Sequence, residues 1–417
     1  MLKALLVNPP IFDFTAYDFW LRPYGMLRVA GQMKESASLS FFDYLVKQKT
    51  DGWGRGPFIF QETRKPKCFG DIPRQFRRFG RPRAEFRDFL KLRSFDVALI
   101  QTMMTYWYLG VQEVMEDLRE LQPSAKIVLG GTYATLCPSH AQSLGSDLVI
   151  ERNHLAPLWH MLAIDPQDAA PFLPDGAGNV GVIKITEGYP FRCSYCSASI
   201  LYPEFRRRST HDCIEEFKQL TKAGARNIAF YDDALLFDAD RALIPFLEEV
   251  VRINHPVYFH TPNALNARFV TEDLARLMVK AGFTSFFFGL ESSNSAWQRA
   301  TGGKVWSDEF ENAVNLLRKA GAQSITTYII AGHPDTDSQG VESSMRFAHQ
   351  CGTRILLSEF SPIPGTMDAE KCEKWFDAKE PLSHNKTAFA IRRLGFDYLN
   401  DLKAIRRGLN SGLKQRE

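Results

Sequence analysis

Long apolar runs are missing from this 417-residue sequence. No segment approaches the roughly 20 consecutive apolar residues that a membrane-spanning helix needs. The N-terminus, MLKALLVNPP, is too short in its apolar part and too soon broken by proline to read as a signal peptide. Charge of one sign is lacking too: 51 Lys and Arg stand against 48 Asp and Glu, a formal +3, so no global field directs the chain to nucleic acid or a membrane surface. Close cysteine pairs are scarce. Of Cys68, Cys137, Cys193, Cys196, Cys213, Cys351 and Cys372, only Cys193 and Cys196 are near neighbours, which excludes a secreted disulfide framework and fits a reducing, cytoplasmic setting. A Cys-x-x-Cys alone reads as a redox pair or half a zinc site, but no second pair or matching histidines complete a zinc set. What remains is ordinary globular composition, 45% hydrophobic and 24% charged, at a length suited to two or three domains.

Up to about residue 160 the pattern alternates strand and helix. Lys3–Asn8, Asp96–Gln101, Lys126–Leu129 and Asp147–Ile150 are short apolar runs that read as buried strands. Met26–Lys34 reads as a helix, and Val111, Val114, Leu118 and Leu121 recur at helical spacing. Such alternation predicts a parallel, doubly wound sheet. Residues 50–94 interrupt it with a basic insertion, and from Arg64 to Arg93 Lys and Arg outnumber the three acids Asp71, Glu85 and Asp88. An anion or nucleic-acid contact is one reading; a solvated flap with one amphipathic helix is the preferred one.

A Pro/Gly/Asp-rich stretch within 161–178 reads as a linker. Beyond it a β/α unit recurs six times, with strands near Val180–Thr186, Asn227–Tyr231, Val257–His260, Thr284–Gly289, Ser324–Ala331 and Arg354–Phe360. Three intervening helices end on Lys-Ala-Gly, at Gly224, Gly282 and Gly321, where glycine can close a helix in the left-handed conformation. Asp212 with Glu215 resembles a capping box. The expected fold class is α/β: a doubly wound, Rossmann-like domain over 1–160, then a partial (β/α)6 barrel over 179–370 and a helical, basic tail over 371–417. In open sheets of this kind the functional groups gather at the C-terminal strand ends.

The residues following the strands are unlike random loop composition. After the first come Thr186-Glu187-Gly188-Tyr189-Pro190-Phe191-Arg192-Cys193-Ser194-Tyr195-Cys196; after the second, Asp232 and Asp233; after the fourth, Gly289-Leu290-Glu291-Ser292. The cysteine loop resembles the radical S-adenosylmethionine (radical SAM) signature, CxxxCxxC with an aromatic residue before the last cysteine. Gly289–Ser292 resembles the segment that contacts the cofactor's ribose and methionine in that family. Met103–Tyr108 and Gly130–Ala134 look like the cobalamin-binding domains that precede such barrels. The resemblance spans roughly residues 1–370. It implies a 4Fe-4S iron–sulfur cluster on Cys193, Cys196 and the residue at the first cysteine position, here Tyr189. It further implies S-adenosylmethionine held by Tyr195, Gly289, Glu291 and Ser292, and cobalamin held by Thr102, Tyr106, Gly130 and Gly131. A small-molecule substrate and an electron-donor protein follow as expected partners, with nucleic acid left open only by the basic insertion. The implied reaction is radical chemistry on the substrate, including methyl transfer.

The chain departs from the family pattern at two places. Tyr189 replaces the first cysteine, which leaves two readings: a phenolate as third iron ligand, or a non-catalytic homologue that holds S-adenosylmethionine, cobalamin or a partner enzyme without the cluster. The Asp-x-His-x-x-Gly motif that supplies a lower histidine to cobalamin is also absent; the corresponding stretch, Phe19–Gly25, has no histidine. Asp232 and Asp233 are candidate acid/base groups, with Asp233 as a helix cap the competing reading. His260 and His333 read as core histidines. Arg206-Arg207-Arg208 reads equally as an anion holder or a solvated helix approach.

Overall fold

A computed structural model describes residues 1–174 and 178–413 of the chain. They fall into two compact units: Met1–Gly176 with Asp377–Asn385, and Ala177–Phe376 with Lys386–Glu417. Among the described residues no helix is long and apolar enough to cross a membrane.

The first unit is built on five parallel strands, β1 (Leu2–Asn8), β2 (Ala37–Asp43), β3 (Val97–Thr102), β4 (Lys126–Gly131) and β5 (Leu148–Ile150). Their spatial order is β2-β1-β3-β4-β5, so the winding reverses between β1 and β3. In open α/β sheets the crevice outside that reversal is where ligands bind. Helix α1 (Tyr24–Met33) lays Met26, Ala30 and Met33 onto Ala4, Leu6, Val97, Leu99 and Val128. β2 carries no sequence signal of a strand. In ASLSFFD only Ala37 and Phe42 are buried, because at the sheet edge this strand has a neighbour on one side alone.

The basic insertion is more than a solvated flap. It holds a short antiparallel sheet, Phe60–Glu62 and Arg77–Phe79 with Ile11–Asp13, followed by the amphipathic helix α2 (Arg83–Lys91). Its arginines pair with acids of α3 (Tyr108–Leu121): Arg78 Nη2 lies 2.6 Å from Glu113 Oε1, Arg83 Nε 2.9 Å from Asp117 Oδ2, and Arg87 Nη1 2.5 Å from Asp117 Oδ1. The insertion's charge is thus partly paired inside the unit.

The stretch read as a linker begins as ordered chain, with Gln167 N–H donating to the Gln32 carbonyl and Phe172 N–H to the Leu27 carbonyl. Residues 175–177 of it, and 414–417 of the tail, lie outside the described residues. The tail itself divides. Asp377–Asn385, including the short turn Pro381–His384, belongs to the first unit, where Asn385 Nδ2 donates to Asp13 Oδ1 at 2.9 Å and His384 Nδ1 meets Thr105 Oγ1 at 3.0 Å. Residues 386–413 form helices α4 (Lys386–Leu394) and α5 (Phe396–Ser411) of the second unit.

In the second unit six strands run parallel and in sequence order: β6 (Val180–Ile183), β7 (Asn227–Phe230), β8 (Tyr258–His260), β9 (Phe283–Glu291), β10 (Ser324–Ala331) and β11 (Arg354–Glu359). This is the open six-stranded arc expected from the repeats. The first predicted strand is broken, with Thr186–Glu187 leaving the sheet to pair with Arg206–Arg207. Phenylalanines fill the layer between sheet and helices. Phe230 and Phe283 stack at 5.3 Å, with Phe217, Phe246 and Phe259 packed around Phe230 and one another. Gly282 closes its helix in the left-handed region as read. At Thr210–Lys222 the cap is Ser209, whose hydroxyl accepts from Asp212 N–H, instead of the Asp212/Glu215 box. The serine wins because its extended backbone places the oxygen over the first free N–H groups.

Candidate active site

The cysteine loop leaves the C-terminal end of β6 and closes on itself. Tyr189 N–H donates to the Tyr202 carbonyl at 2.9 Å and Cys196 N–H to the Cys193 carbonyl at 3.1 Å. Tyr189 and Cys193 are buried, and the Tyr189 hydroxyl lies 3.4 Å from Cys193 Sγ. Cys196 Sγ accepts from Ala198 N–H at 3.4 Å. An apolar wall of Phe191, Phe205, Phe237 and Ala234 surrounds the group. Burial pushes the Cys196 thiol up to about 11, opposed by the Lys304 ammonium. Burial and the neighbouring cysteines drive the Tyr189 phenol far above its ordinary range. Gly302, at φ +109°, lets the next loop approach: a Cβ there would stand 3.0 Å from the Arg192 carbonyl oxygen and 3.4 Å from Cys193 Cα.

The fourth strand delivers the second part. β9 ends in a register shift against β10 between Gly289 and Glu291, and Glu291 takes φ +64°, a left-handed conformation costly for a side-chain-bearing residue. Both features bring the Glu291 carboxylate back over Gly289, where a Cβ would lie 2.7 Å from Glu291 Oε1 and 3.3 Å from Lys304 Nζ. Burial raises this carboxyl to about 7, against the pull of Lys304. Tyr195 feels the same carboxylate; burial first, and then Glu291, holds its phenol protonated. Ser292 is buried, accepts from Asn294 N–H and meets Ser344 Oγ at 3.5 Å, so it shapes the turn after Glu291.

The structure therefore brings together Tyr189, Cys193, Cys196, Tyr195, Gly289 and Glu291, with Lys304 beside them. Lys304 has no signal in the sequence, because a lone lysine so far beyond a strand carries no spacing pattern. Among the described residues no group of three or more His, Cys, Asp and Glu is placed to hold a metal ion. The donor set is two thiols and a phenol on one loop. That set fits a cluster bound through two soft anionic donors and one harder oxygen, once the metal has displaced the protons that burial favours.

The two aspartates do different work. Asp232 is buried, and its Oδ1 accepts from Ile185 N–H, Thr186 N–H and the Thr186 hydroxyl, pinning the start of the cysteine loop. Burial lifts its carboxyl to about 6 in spite of those bonds. Asp233 pairs with Lys184 at 3.3 Å, and the next helical turn begins beyond it at Asp238, so it is not a cap. His260 bridges Ser285 and Asn227 in the core. Arg206 pairs with Glu204, Arg207 with Asp238 and Arg208 with Glu216.

In the first unit, a crevice opens at the β1/β3 reversal, lined by Asn8, Pro10, Gln101, Met103, Met104 and Trp107, among others. Met104 is 42% exposed, a large apolar side chain held at the sheet's C-terminal edge. Thr102 and Tyr106 are both buried and do not line the crevice, with Thr102 Oγ1 accepting from Ala134 N–H at 3.0 Å. Gly131, at φ +115°, is wedged against Thr102, whose carbonyl oxygen would sit 2.2 Å from a Cβ. The Phe19–Gly25 loop turns Trp20 inward, its indole N–H on the Trp53 carbonyl at 2.8 Å.

Residues 183–348 match the sequence profile of the radical SAM superfamily. An uncharacterized methyltransferase of Pyrococcus horikoshii is 27% identical over 217 residues, covering 50% of this chain and 44% of that protein. The threonylcarbamoyladenosine tRNA methylthiotransferase MtaB of Thermotoga maritima is 22% identical over 277 residues, covering 61% of this chain and 64% of that protein. The chain thus spans less than two thirds of either relative. Among solved structures, the radical SAM methyltransferase TsrM of Kitasatospora setae, with cobalamin and a [4Fe-4S] cluster bound, superposes with a TM-score of 0.67 at 15% identity, over 97% of this chain and 91% of that one. The cobalamin-dependent radical enzyme OxsB, with aqua-cobalamin and S-adenosylmethionine bound, gives 0.58 at 12% identity, over 98% and 61%. Residues 183–348 are a radical SAM domain, and the chain as a whole has the fold of the cobalamin-dependent radical SAM proteins.

Proposed function

We propose that this protein is a radical SAM enzyme that transfers a methyl group to a small-molecule substrate, with electrons from a donor protein. The observation that carries the reading is the convergence of Tyr189, Cys193 and Cys196 on one buried loop beside Tyr195 and Glu291. Cys193, Cys196 and Tyr189 would hold a four-iron cluster. Tyr195, Gly289 and Glu291 would face S-adenosylmethionine, Lys304 offering a cation toward its carboxylate. The crevice residues Asn8, Gln101, Met103, Met104 and Trp107 would receive cobalamin, with no histidine from the Phe19–Gly25 loop beneath it. When bound, these groups supply one-electron reduction of a sulfonium and a carrier for the methyl group. The chain's own residues orient the ligands, and the apolar wall of Phe191, Phe205 and Phe237 keeps water from a reactive centre.

Anaerobic reconstitution with iron and sulfide, followed by iron counting and electron paramagnetic resonance, tests the reading. The wild type is expected to take up one cluster, Tyr189→Phe to lose most of it, and Tyr189→Cys to hold it more tightly. An iron-free wild type beside an iron-loaded Tyr189→Cys would show a binding protein that has lost its cluster. Full loading of Tyr189→Phe would remove the phenol from the ligand set.

A further inference from the structure

Ser194, inside the Cys-x-x-Cys, is gripped from two sides by a residue 174 positions downstream. Asp368 N–H donates to the Ser194 carbonyl at 3.1 Å, and the Ser194 hydroxyl donates to Asp368 Oδ2. A third bond runs from Ser194 N–H to the Thr301 carbonyl at 3.2 Å. The Asp368 side chain is fully buried; it also meets His333 Nε2 at 2.9 Å and has Lys371 Nζ 2.8 Å from Oδ1.

The protonation pattern of this network follows from its donors. An indole N–H can only donate, and Trp297 Nε1 points at His333 Nδ1 from 3.1 Å; Asp335 N–H points at the same atom from 3.2 Å. Nδ1 must therefore accept, and the ring's proton sits on Nε2, where it donates to Asp368. Tyr195, the other residue between the cysteines, stacks on Trp297 at 5.7 Å and meets His333 edge-on at 6.3 Å. Both residues separating the two thiols are thus held by one buried assembly: His333 after β10, Asp368 in the short helix Met367–Glu370, and Trp297.

We propose that Asp368 and His333 are positioning residues that fix the separation and direction of Cys193 and Cys196 before any metal arrives. The proposal rests on reading those cysteines as iron ligands. A ligand set held in place by hydrogen-bonded neighbours avoids the ordering cost of gathering loose thiols around a metal.

The test compares full-length wild type with Ser194→Ala, Ser194→Thr and Asp368→Asn. Ser194→Ala is the gentle variant, since it removes one hydroxyl and keeps every backbone bond. In metal-free protein, per-cysteine alkylation rates are read by mass spectrometry. Cys193 is expected to react about tenfold faster in Ser194→Ala and Asp368→Asn, the ratio that one hydrogen bond to a charged acceptor supports. Cys213, buried elsewhere in the unit, keeps its wild-type rate, and Ser194→Thr restores that of Cys193. After reconstitution, the paramagnetic resonance g values of the reduced cluster shift in Ser194→Ala and return in Ser194→Thr. An unchanged Cys193 rate in Ser194→Ala, a Cys213 rate rising in step with it, or identical spectra would each overturn the positioning role. A wild type that takes up no iron defeats the cluster reading instead, and the alkylation rates still decide the clamp.

Discussion

At the scale of single residues, Glu291 joins backbone strain to an altered acidity. Its carboxyl is raised from 4.5 to about 7, chiefly by burial, with Lys304 opposing and Tyr195 and Tyr189 facing it. A carboxyl that holds its proton more firmly when folded stabilises the fold at low pH. That contribution is complete below the unfolded value and is lost as pH rises from about 4.5 through about 7. Thermal melts of the metal-free protein should therefore show stability declining across that window, and Glu291→Gln should flatten the decline; an equal slope in the variant would reject the assignment. Much of this site was legible in the sequence. Tyr189, Cys193 and Cys196 stand out because residues on one loop keep a fixed spacing, and Gly289–Ser292 because it follows a strand. Lys304, Trp297 and Asp368 were not legible, since their relation to the loop exists only after the strands have been laid side by side.

At the scale of elements, the basic insertion finds partners far from it in sequence. Sequence shows that Arg78, Arg83 and Arg87 are clustered, but the acids that answer them are on α3, 30 to 35 positions away. Arg78 and Glu113 are nearly inaccessible, so removing one partner leaves a charge without solvent or counter-ion. Arg78→Ala is expected to cost about 3–5 kcal/mol in chemical denaturation, whereas the paired change Arg78→Met with Glu113→Leu should recover most of it. If the double variant is no more stable than the single one, packing of the insertion matters more than the ion pair. Strands show the same division. The continuous apolar runs of β1, β3 and β4 announced themselves, while β2 did not, because a one-sided edge strand has little to bury.

On the scale of the whole molecule, the number and order of the barrel strands followed from the repeat, since parallel neighbours in sequence need only a right-handed helix between them. The return of Asp377–Asn385 to the first unit had no such rule behind it. Asn385 and His384 reach Asp13 and Thr105, more than 270 positions back. Asn385→Leu should destabilise the first unit by about 1–3 kcal/mol by withdrawing a donor from the buried Asp13 carboxylate. Hydrogen exchange should quicken around Ile11–Asp13 while strands β8 to β10 stay protected; uniform quickening would mean that the segment holds up more than its own unit.

This late return also dictates a schedule. A ribosome releases the five strands of the first unit early, yet the piece that seals Asp13 and Thr105 emerges only after the barrel strands have left the tunnel. Newborn chains must then carry an unsealed first unit until Asp377–Asn385 emerges, exposed to chaperones and proteases for as long as the barrel takes to be made.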